Sequence, residues 1–586
     1  MAPALEQLVG ATSVSGALVN SFVRWACRGR SRRRALLEGS RAGSREGRQG
    51  GSSLSRQVKE GARISSKLGR HALTNLSPAK LSVGRGGRGD PDDNIVTLAE
   101  PTTASKPGAA RKPFPLRLHP ALIVVIGVCA ALFRQAMHEG LSGDVFYQVA
   151  EGRWMLAHHA VVSHDVFSYT VLGRPWLSEE WGFALLIAWL AAHVGPISYW
   201  LLSAGACCGA LLLSVARWRK AGSGWLWPAA LCILAGAGMF DFVSPRPQDL
   251  SYLFFATLLL ILSLARQRTI WLAAAPPLLL VWANLHGSFL LALGILVLEL
   301  LLSLLPSLPG RLVHEKLPGR AMLATVAASL VAVLVNPHGP GLLSYSFHVS
   351  SSSELTSFIE EWQSPDFHSL LLLVVIAGPL LGLLALLAFT TTTFALGDTV
   401  LACVMLLATL HAARFMPYFV LAMCSVLSRW SPIKTETIRP SVLTLPVAVL
   451  ACAVLLVGPH TAAGEPAKGN GAMGTPLAAT AFLKHQTGRV FTTYWWSDYL
   501  IYENIPVFVD GRTDVYFGTG ILETYVNVSN VSVDPDPVFR HWDVRWVMWN
   551  KDTTLSIFLS HDPAWKVVYR AGDAVVFEHA GSWGAQ

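Results

Sequence analysis

Four of the six carboxylates in one polar stretch between two apolar runs are candidates for chemistry: Asp144, Asp165, Glu179 and Glu180. A positioned carboxylate can take up or release a proton during a reaction, so Asp144, Asp165 and Glu180 are the catalytic candidates. Each also has a plain structural alternative. Asp144 suits the N-cap of the helix that follows it. Asp165 suits a cap or a turn. Glu179 and Glu180 stand where an apolar run begins, and acids are favoured at a helix N-terminus. Glu179 is therefore taken with the binding candidates.

The cations and histidines that could serve such a site are scattered. Arg246 stands in Pro245-Arg246-Pro247. A guanidinium there could hold a phosphate through two hydrogen bonds or snorkel to the membrane surface. Arg414 lies between two apolar runs within reach of the same chemistry. Arg153 is on the polar side of an amphipathic segment. His286, in Asn284-Leu285-His286-Gly287, is a binding candidate or a hydrogen-bonded structural group. His338, in Asn336-Pro337-His338-Gly339, reads first as a turn. Further on, Asp510-Gly511-Arg512-Thr513-Asp514 follows an apolar strand pattern, the end at which open α/β sheets place ligands. A tight turn with an internal Asp–Arg pair is the alternative. No His and carboxylate triad at helical spacing suggests a metal site. A divalent ion such as Mg or Mn, held by carboxylates and a substrate phosphate, stays compatible.

The elements that must position these residues are set by a composition far from that of a soluble protein. The chain has 586 residues, 52% hydrophobic and 14% charged, against about 25% charged in soluble domains. Residues 1–117 carry 21 Lys/Arg against 8 Asp/Glu, a balance of +13 that leaves −4 for the rest. This Arg-, Ser- and Gly-rich tail cannot bury enough surface to fold. It reads as a disordered cytoplasmic extension drawn to anionic lipid, as a targeting segment, or as the product of a start codon set too early. No interleaved aromatic pattern supports nucleic-acid binding. The cysteines read as small buried apolar groups.

Apolar runs long enough to approach a membrane crossing lie near 119–137, 182–216, 223–240, 250–265, 270–285, 288–306, 321–335, 369–390, 398–412, 414–428 and 441–459. The stretch 182–216 holds two helices, with Gly195-Pro196 as the joint. Basic clusters at Arg217/Arg219/Lys220, Arg266/Arg268, Arg311/Lys316/Arg320 and Arg429/Lys434/Arg439 belong on the cytoplasmic side. The polar, non-basic loops then share the other side, and polar groups at membrane depth face a cavity or pathway. After a Gly/Ala/Pro linker at 460–474, strand and helix patterns alternate. Strands are expected at 489–494, 506–510, 544–549, 565–569 and 574–578, and helices at 476–486, 517–526 and 553–560. This is an α/β layer pattern.

An acid directly after the first apolar run, an amphipathic helix, and Gly173-Arg174-Pro175-Trp176-Leu177-Ser178-Glu179-Glu180-Trp181 together resemble the membrane glycosyltransferases of the GT-C superfamily. That superfamily includes the protein O-mannosyltransferases and aminoarabinose transferases. Asp165-Val166-Phe167-Ser168-Tyr169-Thr170 and Val509-Asp510-Gly511-Arg512-Thr513-Asp514-Val515-Tyr516 are similar to segments of poorly characterised bacterial GT-C-like proteins. The resemblance covers residues 118–586. It implies a polytopic all-α membrane bundle of 11–13 transmembrane helices at 118–459, with its first extracytoplasmic loop at 138–181, and a C-terminal α/β domain at 475–586. It implies transfer of a sugar from a polyprenyl-phosphate donor to a glycan, lipid or protein acceptor outside the cytoplasm, with Asp144 as general base. It also implies residence in a bacterial plasma membrane. Family members often carry two adjacent acids; here Val145 follows Asp144. The other readings are a non-catalytic scaffold or lipid-carrier partner on the same fold and, behind these, a transporter, for which no internal repeat is evident.

Overall fold

Apolar runs interrupted by Pro, Gly and polar pairs become separate helices. The computed structural model describes residues 117–139, 143–221, 224–306, 310–351, 360–431, 438–456, 475–581 and 583. The basic tail and the 460–474 linker lie outside them.

The helical part comprises α1 (Ala121–Glu139), α2 (Gly143–His158), α3 (Trp181–His193), α4 (Ile197–Lys220), α5 (Leu226–Met239), α6 (Pro247–Ala265), α7 (Ala275–Leu285), α8 (Phe289–Leu304), α9 (Gly319–Val333), α10 (Gly341–Ser351), α11 (Leu370–Phe389), α12 (Leu396–His411), α13 (Met416–Leu427) and α14 (Thr444–Leu456). A two-residue parallel pair, β1 (Leu312–Val313) with β2 (Phe394–Ala395), ties two loops. Among the described residues, α4, α6 and α11 can each cross a bilayer by length and composition, and nine further apolar helices are shorter. The expected joint at Gly195-Pro196 separates α3 from α4, with Gly195 at φ 89°, a conformation cheap only for glycine. Pro247 opens α6 at a position where its missing N–H is not needed. Large side chains such as Trp218, Phe255, Trp282, Phe289 and Phe419 fill the interior.

The two ends of α6 differ in chemistry. At its C-terminal end Arg266 pairs with Glu299 (2.7 Å) and Glu315 (3.6 Å), and Arg429 reaches the same Glu315 at 2.6 Å. Nearby, Arg217 pairs with Asp398 at 2.6 Å. Arg217, Arg266 and Arg429 come from three of the expected basic clusters, and they take part in these pairs. At its N-terminal end stand Arg246 and Gln248, with Asp144 facing Arg246.

The C-terminal domain contains β3 (Arg489–Thr492), β4 (Val544–Asn550), β5 (Trp565–Ala571) and β6 (Ala574–His579) in the order β3-β4-β6-β5. The β3/β4 pair is parallel and the other two are antiparallel. Helices α15 (Leu477–Leu483), α16 (Tyr494–Tyr502), α17 (Ile521–Ser529), α18 (Pro535–His541) and α19 (Thr554–His561) complete it. The strand expected at 506–510 does not form: Pro506 has no N–H to give, and Val507 makes only single bridges to Val490 and Ser168.

That second bridge reflects a larger feature. The loop between α2 and α3 is built into the C-terminal domain. Tyr169 N donates to Val507 O (3.0 Å), Thr170 Oγ1 to Phe508 O (2.6 Å), and Arg174 Nη2 to Phe517 O (2.6 Å). Val171, Tyr169 and Trp176 pack in the same apolar cluster as Phe491, Phe508 and Trp549.

Candidate functional site

Helix α2 presents Asp144, Gln148 and Glu151 at i, i+4 and i+7, one helical face. Gly152 lets α2 approach the Ala184 backbone of α3 closely, which brings that face over the start of α3. There Glu180 accepts from Gln148 Nε2 at 2.7 Å. Its other oxygen lies 3.5 Å from His286 Nε2. His286 Nδ1 contacts Ser251 Oγ (2.9 Å) and Ser288 Oγ (2.6 Å), and Trp282 Nε1 donates to both hydroxyls. Glu179 rests against Gly287, where an added Cβ would come within 2.5 Å of its Oε2.

Arg246 joins this cluster from the N-cap of α6. Its Nε is 3.0 Å from Asp144 Oδ2, an ion pair without hydrogen-bond alignment. Its Nη1 donates to Glu361 Oε1. Arg414 stacks on Trp362 (4.4 Å to the ring centroid) and shares two long hydrogen bonds with Gln248. Among the described residues Arg414 has no carboxylate partner within ion-pair distance, unlike Arg246. His338 Nε2 meets the carbonyl of Ser178 at 3.0 Å, and the Ser178 hydroxyl donates to Glu151. Asp514 accepts from Trp176 Nε1 (2.8 Å) and from the Tyr345 hydroxyl.

Asp144, Glu179, Glu180, Arg246, Arg414, His286 and His338 therefore gather at one end of the bundle. Four other candidates lie elsewhere. Asp165 is 1% exposed; Ser168 Oγ donates to its Oδ2 (2.7 Å) and Arg512 Nη2 to its Oδ1 (2.6 Å). With both oxygens so engaged and no solvent access, it ties the loop to the C-terminal domain, the turn-forming role that was its alternative. Arg512 also pairs with Asp510 Oδ2 at 2.6 Å, and Tyr516 donates to that same oxygen. Arg512 and Asp510 are fully buried structural partners. Arg153 is exposed and lies over Tyr502, 4.1 Å from the ring centroid, donating to its hydroxyl.

Three acids in or beside the cluster were not among the catalytic and binding candidates. Glu361 was visible only as part of an acidic pair in a polar loop. Glu151 could have been found from its helical spacing to Asp144. Asp498 lies on α16. It accepts from Gly511 N at 2.8 Å. A Cβ added at Gly143 or at Gly511 would sit 2.7 Å from its Oδ2, so both glycines make room for one carboxyl beside Asp144. Gly143→Ala is expected to loosen α16 from α2 at a cost of roughly 1–3 kcal/mol, readable as a lower thermal unfolding midpoint. An unchanged midpoint would show that the contact is not tight.

Burial dominates the electrostatics. It raises the Glu180 carboxyl well above its usual range, with Glu179, Asp144 and Glu151 adding to the effect. Glu179 is pushed to about 7 by burial and by the charge of Asp514, with Arg414 opposing. Burial, reinforced by Arg414, lowers His286 to about 3. Near neutral pH His286 is thus a neutral imidazole, and its contact with Glu180 is not an ion pair. Asp498 is raised by burial and by Asp510 and Asp144.

Burial also raises Glu151 to about 7, against about 4.3 in an unfolded chain. An acid raised on folding stabilises most below its unfolded pKa, and that contribution is lost as pH rises through its folded pKa. Wild type should therefore lose stability relative to Glu151→Gln between pH 5 and pH 8, by about 3 kcal/mol at most. Paired thermal unfolding at the two pH values checks this; a constant difference contradicts it.

The residues present do not fit a resident metal. Among the described residues no group of three His, Cys, Asp or Glu side chains is placed to hold one, and Arg246 stands between Asp144 and Glu361.

No family model and no curated protein matches the chain. Among solved structures it is similar to the archaeal oligosaccharyltransferase AglB from Archaeoglobus fulgidus, in complex with an inhibitory peptide and a dolichol-phosphate, at 10% identity. That match covers 79% of this chain and 74% of the other, with a TM-score of 0.46. It is also similar to ArnT from Cupriavidus metallidurans bound to undecaprenyl phosphate, at 15% identity over 79% of this chain and 99% of the other, TM-score 0.47. The apo state of that ArnT scores 0.46. Likeness at this level assigns neither a reaction nor a residue.

Proposed function

We propose that this chain is an integral membrane glycosyltransferase that moves a sugar from a polyprenyl-phosphate donor to an extracytoplasmic acceptor. The observation that carries the reading is the gathering of Asp144, Glu180, His286, Arg246 and Arg414, from separate loops, at one end of an apolar helical bundle. The apolar helices, with the shorter ones counted, make 11–13 crossings, and the N-terminal tail is cytoplasmic. The C-terminal domain covers the acceptor side, and its grip on the first loop keeps Asp144 in place.

In the reaction an acceptor hydroxyl attacks the anomeric carbon and the bond from that carbon to the phosphate oxygen breaks. The electron pair leaves with the polyprenyl phosphate, and the hydroxyl proton passes to Asp144. Asp144 Oδ2 faces Arg246, so Oδ1 is the oxygen that takes the proton. The negative charge that builds on the leaving phosphate needs a cation already in place. Arg414, without a carboxylate partner among the described residues, supplies it. No step requires a metal.

One observation favours a second reading, a lipid-carrier-binding partner without activity: Asp144 already has a guanidinium at 3.0 Å. Lipid extraction of the purified protein tests the part the two share. Polyprenyl phosphate should co-purify with wild type and be lost from Arg414→Ala. Absence of that lipid, together with no binding of added undecaprenyl phosphate, would remove both readings.

A further inference from the structure

Arg246 joins two carboxylates that the chain supplies from well-separated segments. Asp144 comes from the first turn of α2, and Glu361 from the short 3-10 turn Glu360–Trp362, 115 residues beyond Arg246. The backbone of Arg246 is extended (φ −128°, ψ 155°) just before Pro247 starts α6, which holds the side chain at the head of that helix. The three side chains are 26%, 34% and 35% exposed. This sets them apart from the pairs that stitch the fold: Arg512 with Asp165 and Asp510 is wholly buried, and Arg217 with Asp398 nearly so. Structural ties have no need to be open to solvent; a group that meets a substrate does. Nη2 of Arg246 makes no hydrogen bond among the described residues. One donor face is therefore left over after both acids are served.

A divalent cation in a carboxylate site would do two things. It would draw the acids together, and it would offer positive charge to a phosphate oxygen. A planar guanidinium can do both, because its donors point in fixed, separate directions and it stays charged at any working pH. We infer that Arg246 is a built-in cation that takes the place of a divalent metal between Asp144 and Glu361, making this site metal-independent. The inference rests on the reading of this cluster as the transferase site. In that role Arg246 is a positioning residue: it fixes the orientation of Asp144 by holding Oδ2. Its removal would leave two carboxylates facing one space, and such a space binds a divalent ion.

Electron paramagnetic resonance of Mn2+ with the purified full-length protein tests this without any turnover. Arg246→Ala should bind Mn2+ at least tenfold more tightly than wild type, and the added site should vanish in Arg246→Ala/Asp144→Asn. Arg246→Lys, which keeps the charge, should not gain it, and serves if the alanine variant does not fold. In a separate arm, sugar transfer by wild type should be unchanged by EDTA. Tight Mn2+ binding by wild type that Asp144→Asn removes would overturn the inference. So would a tenfold loss of transfer in EDTA restored by Mn2+, or no Mn2+ gain in Arg246→Ala. If transfer is absent but the Mn2+ pattern appears, the transferase reading fails and the assignment of Arg246 stands.

Discussion

Asp144→Asn should reduce sugar transfer by roughly 10²–10⁴-fold, the range that one well-placed general base supplies. Asparagine keeps the size of the side chain and can set its carbonyl oxygen where Oδ2 faces Arg246. It cannot take the acceptor proton. The thermal unfolding midpoint should therefore stay within a few degrees of wild type while transfer falls. Binding of the polyprenyl-phosphate donor should also persist, because Arg414 rather than Asp144 meets the phosphate. A parallel loss of folding, donor binding and transfer would instead assign Asp144 a structural role, as a tether for the head of α6. Release of polyprenyl phosphate, followed by chromatography alongside acceptor glycosylation, reads the chemical step, and equilibrium binding of undecaprenyl phosphate reads the other arm.

The second large effect lies away from the chemistry. Arg512→Ala should destabilise the C-terminal domain by about 3–5 kcal/mol, the usual consequence of removing one partner from a buried charged group. Asp165 and Asp510 would be left facing each other without solvent. The Arg512 side chain is 0% exposed and holds both acids at 2.6 Å. Its guanidinium also lies 4.8 Å from the ring centres of Phe167 and Trp176, so the alanine also leaves a void. Replacing all three, as Asp165→Asn/Asp510→Asn/Arg512→Met, should recover much of the loss, because a buried ion-pair group often adds little over a well-packed apolar one. Unfolding followed by tryptophan fluorescence, with limited proteolysis of the 163–176 loop as the local readout, distinguishes the cases. Arg512→Ala with an intact midpoint and a protected loop would show that the loop is held mainly by its backbone bridges to Val507 and Phe508.

How much of this could be read from the sequence depends on the range of each contact. Asp144 is legible because it stands directly after an apolar run. The Gly195-Pro196 joint is legible because glycine and proline punctuate locally, and the basic clusters are legible because their sign repeats between runs. Asp165 and Arg512 were equally visible, as charged residues in motif-like segments. Chemistry and structural ties use the same residue types, however, and only their 347-residue separation closing to a 2.6 Å pair reveals which use applies. The place of Asp498 beside Asp144 follows from no local pattern: it is made by two glycines, Gly143 and Gly511, that lie in different parts of the fold. The strand expected at 506–510 failed for a related reason, since Val507 makes only single bridges, one to Val490 of β3 and one to Ser168 of the distant first loop.

Turnover by the purified full-length protein is the measurement closest to the central claim that Asp144 is a proton acceptor in sugar transfer from a lipid-linked donor. Reconstituted in liposomes with a panel of undecaprenyl-phosphate sugars and candidate acceptors, wild type should release undecaprenyl phosphate in step with product. Asp144→Asn should bind the same donor and release none. Release that continues at the wild-type rate in Asp144→Asn, or a wild type that binds every donor and turns over none, would contradict the account.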